Sequence, residues 1–434
     1  MKDVIMNQKL FEYIENSPTA YHATAYTASI LEEQGYTLLS ESEEWKLEER
    51  HGYYVTRNGS SLVAFRCPAA DFSGFMMTAS HSDSPCLKIK ENAELADSNF
   101  VKLSTEKYGG MLCSTWMDRP LSVAGRVAIR TEQGIVMKNV DLKQPCAIIP
   151  SVAIHMNRNA NDNASYNAAV DMLPLYGEVS HKDTFMARIA EAVGAAKDAI
   201  LSTDLFVYNP QQGTEWNQFI SAPRLDDLQC AFAALTAFIG AETHSAVIPV
   251  YCLFDNEEVG SQTKQGAAST FLYDVLTRIT DAFGFDAASY RRKVASSFLV
   301  SCDNAHSIHP NHPEHADKNH TVRMNGGVVI KYNANQKYTS DAVSVSIFKL
   351  ICERAGVPVQ LYANRADMPG GSTLGNIANT QVSLNTIDVG NAQLAMHSSY
   401  ETAGAKDTVF MISALKKYYE SQIVMTADGD YKIF

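Results

Sequence analysis

Ala246–Glu258 reads AVIPVYCLFDNEE: nine residues without a charge, then four of which three are acidic. An apolar run of that length, closed by polar residues, predicts a strand buried on both faces, as in a parallel sheet. Working outward, Ser61–Cys67 and Gly74–Ala79 upstream carry the same signature, as do Ser297–Cys302, Gly327–Lys331, Val357–Ala363 and Gln381–Ile387 downstream. Helical spacing of apolar residues falls between them, at Leu10–Ile14, Ala25–Leu31, Leu228–Ile239, Gln265–Phe283, Ser340–Arg354 and Ala405–Ser421. The alternation predicts an α/β fold, a three-layer α/β/α domain around a mostly parallel sheet. Residues 85–211 differ in character. Gly125–Arg130 and Ile135–Val140 flank Glu132-Gln133-Gly134 as a hairpin would, Asn157–Asn167 is an Asn-rich loop, and Lys182–Ile200 is expected to be a helix. The expected organisation is one discontinuous α/β domain, 1–84 and 212–434, interrupted by a β-rich segment, 85–211.

The remaining composition narrows the function classes. With 434 residues, Lys plus Arg 36 and Asp plus Glu 48, the chain carries a formal charge of −12. That sign opposes binding to nucleic acid through phosphate neutralisation. No apolar run approaches the roughly 20 residues needed to cross a bilayer. The N-terminus lacks the apolar core of a signal peptide, and none of the eight cysteines stands in a CxxC pair. These features predict a cytoplasmic protein with neither a nucleic-acid nor a membrane partner. Histidine is the unusual residue: five of the twelve lie between His306 and His320.

Ligands of open α/β sheets bind beyond the carboxyl ends of the strands, so the residues there matter most. His81-Ser82-Asp83 follows one predicted strand, Asp255-Asn256-Glu257-Glu258 the next, and Asp303 with His306 and His309 a third. Asp388 and His397 follow the last, and Arg224-Leu225-Asp226-Asp227 opens a helix. Several carboxylates and two histidines suit a pair of divalent cations about 3.5–4 Å apart, with one carboxylate shared between them. Asp83 is placed to orient His81 from behind. Of the adjacent Glu257 and Glu258, one suits metal ligation and the other general-base chemistry. A nitrogen and oxygen donor set without cysteine suits a catalytic zinc site and also accepts cobalt or manganese.

At these residues the chain resembles the M18 metallopeptidases, the aspartyl aminopeptidase-like family, from end to end. The resemblance rests on Asn16-Ser17-Pro18 with His22, HSDSPCLKIK (His81–Lys90), Tyr108-Gly109-Gly110, Thr115–Arg119, Arg224-Leu225-Asp226, FDNEEVGSQTKQG (Phe254–Gly266), DNAHSIHPN (Asp303–Asn311), Asp367–Gly375 and Met396-His397-Ser398. It implies two metal ions per subunit held by His81, Asp226, Glu258, Asp303 and His397. Asp226 would be the bridge, Glu257 the general base and Asp83 the partner of His81. It further implies a peptide substrate with a free N-terminus, contacted by His306, His309, Gly371 and Lys331, the lysine facing an acidic first side chain. Residues 85–211 become, by the same resemblance, a dimerisation domain. Its His155 would reach a neighbour's active site in a tetrahedral dodecamer built from dimers. The chain departs from the family pattern at Met117, Pro120, Val322, Val328 and Tyr400, positions that bear on the shape of the substrate site. The competing readings are an aminopeptidase of neutral or broad specificity, a di-metal deacylase or carboxypeptidase, and a non-enzymatic assembly protein.

Overall fold

The computed structural model describes residues 2–162, 164–242, 244 and 246–434. Among them, nine strands form one sheet in the order Thr37–Leu39, His51–Arg57, Ser61–Cys67, Val247–Phe254, Gly74–His81, Phe298–Cys302, Asn385–Gly390, Val328–Tyr332, Val359–Ala363. The strands from Val247–Phe254 to Asn385–Gly390 are mutually parallel, as their apolar runs predict. Beyond them the sheet is mixed, because Ser61–Cys67 and Val328–Tyr332 run antiparallel to their inner neighbours. Side chains alternate across the sheet. Met76, Tyr251 and Leu253 join one core with the helices Ala20–Glu33, Leu225–Gly240, Ala342–Ala355 and Asp407–Tyr419. Phe75, Met77, Val250 and Cys252 join the other, with Phe271–Ala282. The result is the expected α/β/α layering.

Three local departures have physical causes. The strand His51–Arg57 escapes an apolar-run search because it is half polar, but Asn58 and Gly59 take φ of 59° and 64° and turn it back on Ser61–Cys67. The expected Lys182–Ile200 helix stops at Val193, where Gly194 adopts the left-handed conformation at φ 65°, and Ile200–Tyr208 is a strand. Asp388 lies inside the strand Asn385–Gly390 and is fully buried, rather than at the edge of the sheet.

A second sheet orders Gly134–Asp141, Ser122–Thr131, Ile200–Tyr208, Cys86–Ala96, Phe100–Tyr108 and Leu175–Glu178 around its own core of Leu87, Val127, Phe185 and Leu205. A third, small sheet joins Thr214–Trp216, Phe219–Ala222, Glu401–Gly404, Ala392–Leu394 and Ala305–His306. It sits at the mouth of the main sheet and carries the chain into Asp226 and out of His397.

Candidate metal centre

His81 ends its strand, Glu257 and Glu258 follow Val247–Phe254 within a short turn, and Asp303 directly follows Phe298–Cys302. These three strands are neighbours, so their carboxyl ends deliver four side chains to one spot. Asp226 and His397 arrive from the small sheet. His397 adopts φ 68°, a left-handed conformation uncommon for a residue with a side chain and frequent at functional sites.

The two imidazoles meet across Asp226. His81 Nε2 is 3.5 Å from Asp226 Oδ1, and His397 Nε2 is 3.5 Å from Asp226 Oδ2. His81 Nε2 also lies 4.0 Å from Asp303 Oδ1, and His397 Nε2 lies 3.3 Å from Glu258 Oε2. Each ring turns its Nδ1 to a main-chain carbonyl, 3.0 Å from Asp83 O and 3.0 Å from Gly110 O respectively. A carbonyl only accepts, so each Nδ1 carries a proton and Nε2 is the atom each ring would offer to a bound cation.

Asp83 therefore supports His81 chiefly through its backbone. Its carboxylate serves the neighbouring turn, accepting from Glu257 N and Glu258 N at 3.1 Å each and from the Tyr108 hydroxyl at 2.7 Å. A supporting residue absent from the sequence reading is Glu401, which accepts from His397 N at 2.7 Å and Asp226 N at 3.0 Å. Its signal was its place four residues after His397. Tyr108-Gly109-Gly110 reaches in from the second sheet and touches both halves of the centre.

The electrostatics are those of a cation site. Burial and repulsion from neighbouring carboxylates push Glu257 up to about 8, Glu258 well above its ordinary value, and Asp303 up as well. Burial opposes charge on His81, yet Asp226 and Asp83 outweigh it and raise the imidazole. Burial likewise acts to raise Asp226, and His81 overcomes it. Asp226 Oδ1 and Glu258 Oε1 are buried without a hydrogen-bond partner. Three donor sets, His81–Asp226–Asp303, His81–Glu257–Glu258 and Asp226–Glu258–His397, each bring one atom per residue within 4.8 Å of one another. Unpartnered carboxylate oxygens and imidazole lone pairs at this spacing fit divalent cations of the zinc type.

The centre lines a cavity of about 360 Å³, walled further by His306, Lys331, Tyr338, Tyr362, Gly371 and Met396. Lys331, which the resemblance sets opposite an acidic first side chain, lines the cavity with its ammonium already engaged. It is 2 % exposed, and its ammonium donates to Asp303 O at 2.8 Å and sits 3.4 Å from Asp303 Oδ2. Because its strand is antiparallel, Lys331 lies level with Asp388, inside the sheet, and extends up to Asp303. His309 is exposed and lies outside the lining of the cavity, as does His155, on an exposed turn of the second sheet's loop.

Comparisons with known proteins agree on one family. The family model described as aminopeptidase I zinc metalloprotease (M18) matches residues 13–419. A Clostridium novyi (strain NT) protein named probable M18 family aminopeptidase 2 is 40% identical over 423 residues, 95% of this chain and 98% of its own. Among solved structures, a chain of the Ape4 and Nbr1 complex superposes with a TM-score of 0.93 at 32% identity, covering 96% of this chain and 86% of that one. The S. cerevisiae mApe1 dodecamer gives 0.83 at 27% identity, with 96% and 97% covered.

Proposed function

We propose, for a chain that belongs to the M18 family of aminopeptidase I zinc metalloproteases, a two-cation mechanism with Glu257 as general base. The protein is an aminopeptidase, a peptide hydrolase. The observation that carries the mechanism is the Asp226 carboxylate divided between two imidazoles, one oxygen 3.5 Å from each Nε2. His81 and Asp303 would hold one ion and His397 and Glu258 the other, with Asp226 common to both. Zinc is the leading candidate, and cobalt or manganese suits the same donors. Bound divalent ions supply Lewis-acid polarisation of the scissile carbonyl and acidify water.

The protein's own groups do the rest. Glu257, its backbone fixed by Asp83, takes the proton of the attacking water and passes it to the leaving amine. His306 and Gly371 line the wall against which the substrate lies. In the holoenzyme, Glu257→Gln is expected to keep both ions and lose roughly 10²–10⁴-fold in turnover. Near-normal turnover would remove Glu257 from the role.

For specificity, Lys331 supports acidic N-terminal residues, as the cation in the cavity wall able to pair with an Asp or Glu side chain. Its ammonium is already engaged by Asp303, and this favours a second reading, preference for neutral residues. Rates on Asp-, Glu- and Leu-terminated peptides, compared between the native enzyme and Lys331→Met, decide between them.

We extend the proposal to the chain's organisation. Residues 1–84 and 212–434 form the catalytic domain, and 85–211 the assembly domain of a homo-oligomer. Exposed Val152, Ile154 and Met156 around His155, with exposed Val170 further along, support a subunit contact that carries His155 to a neighbour in a tetrahedral dodecamer. Eight free cysteines suit a reducing, cytoplasmic setting. Among the described residues, no helix is long and apolar enough to cross a membrane.

A further inference from the structure

The catalytic centre uses few of the histidines clustered between His306 and His320. Of the others, His312 caps and His315 ends a single 3₁₀ turn, Pro313–His315, with Glu314 between them. A 3₁₀ helix has three residues per turn, so positions i and i+3 eclipse and both imidazoles rise on one side. Glu314 Oε1 lies 3.0 Å from His312 Nδ1 and 3.9 Å from His315 Nε2, and the three donor atoms fall within 4.8 Å of one another. The two imidazole centroids stand 5.7 Å apart, and His309 adds a further ring with its centroid 5.3 Å from that of His312.

We propose that His312, Glu314 and His315 form a separate, peripheral site for a borderline divalent cation such as Zn²⁺ or Ni²⁺. Two imidazoles and one carboxylate are the donors such ions select, whereas magnesium and calcium take oxygen shells. Around zinc at about 2.0–2.2 Å, tetrahedral ligand atoms stand roughly 3.3–3.6 Å apart, within a small side-chain rotation of the spacing seen. The three side chains are 59%, 57% and 58% exposed, so no core packing accounts for their grouping. That exposure also makes the site open and exchangeable, with solvent completing the shell, unlike the buried centre.

The location gives the site a consequence. The Glu314 carbonyl accepts from Arg365, and Ala316 pairs with Asn364, whose amide donates to the Tyr362 hydroxyl at 3.0 Å. Tyr362 walls the active-site cavity. A cation joining His312 to His315 therefore braces the loop that backs this wall.

The test compares the holoenzyme with a His312→Ala/His315→Ala double variant, neither residue belonging to the catalytic machinery. Both are dialysed against micromolar free Zn²⁺ and assayed for bound metal per chain, and both untagged proteins are run on immobilised nickel. The native protein is expected to hold one more ion per chain than the variant and to elute from nickel at higher imidazole, with turnover at limiting zinc the same in both. Equal metal content and equal elution would overturn the proposal. Because the readout is a difference between two proteins with intact catalytic residues, it stands apart from the occupancy of the buried centre.

Discussion

Replacing Tyr108 by phenylalanine removes one hydroxyl from the second sheet and tests whether that sheet helps to build the centre. The hydroxyl donates to Asp83 Oδ2 at 2.7 Å and accepts from Asn256 Nδ2 at 2.9 Å. Asp83's side chain is 4% exposed, and its carboxylate holds the backbone of both Glu257 and Glu258. A hydrogen bond to a buried charged group contributes about 1.5–3 kcal/mol. If that loss falls on the positioning of Glu257 and Glu258, it corresponds to roughly 10–100-fold, at about 1.4 kcal/mol per decade. The same range describes the loss of outer support at metal sites generally. The ring itself is retained, with its edge-on contact to Phe206 at 5.6 Å, so the melting temperature should move little. Ion affinity measured by competition with a chromophoric chelator, beside a thermal melt, separates the two effects. Tyr108→Phe binding its ions as tightly as the native protein would refute the reasoning, since Asp83 would then need no partner beyond the two amides.

Three further outcomes follow from the same geometry. A Cβ at Gly390 would stand 2.0 Å from the Asp303 carbonyl oxygen, so Gly390→Ala should displace Asp303, costing about 1–3 kcal/mol and much of the bound metal; full metal content in that variant would contradict the packing. Burial raises Asp407 from an ordinary 3.8 to about 7, so its contribution to stability is complete below pH 4 and is lost as pH rises through 7. Melting temperatures at pH 5 and 8 should therefore fall less with pH in Asp407→Asn than in the native protein. In chelated protein, Glu257, Glu258 and His81 all have raised pKa values, so its stability should decline as pH climbs from about 5 through 8. The gap in melting temperature between metal-loaded and chelated enzyme should widen over that range, and a constant gap would count against the charge crowding.

Much of this centre was legible because a parallel sheet does the assembling. His81, Glu257, Glu258 and Asp303 each end or follow a strand whose apolar run is unmistakable, and adjacent parallel strands leave no other place for them to meet. Asp226 and His397 were candidates by position, but their roles came only from family resemblance, since the strands that bring them in are short: Phe219–Ala222, Ala392–Leu394 and Glu401–Gly404 leave no periodic trace. Glu401 was missed for the same reason. The run ending at Lys331 was legible but the partner of its ammonium was not, because a sequence does not state the direction of a strand: the antiparallel orientation carries the ammonium to Asp303. Asp388 was misplaced because the run beginning at Gln381 is not one strand. Val382 packs with the helix Leu374–Ala378 against the other core, and the strand starts at Asn385.

Charge explains why the centre divides around one aspartate. Four carboxylates, Asp226, Glu257, Glu258 and Asp303, face two imidazoles whose Nδ1 protons are committed to carbonyl oxygens, so each ring would ligate a cation through Nε2 without adding charge. Lys331 is the cation among the residues lining this cavity. A single divalent ion would leave that set net negative, and a second would turn it net positive, the sign required to stabilise an oxyanion at the scissile carbonyl. A carboxylate confined to one ion could not serve both without a second buried acid and its desolvation cost. Asp226, with an oxygen toward each histidine and its amide held by Glu401, meets both demands with one side chain.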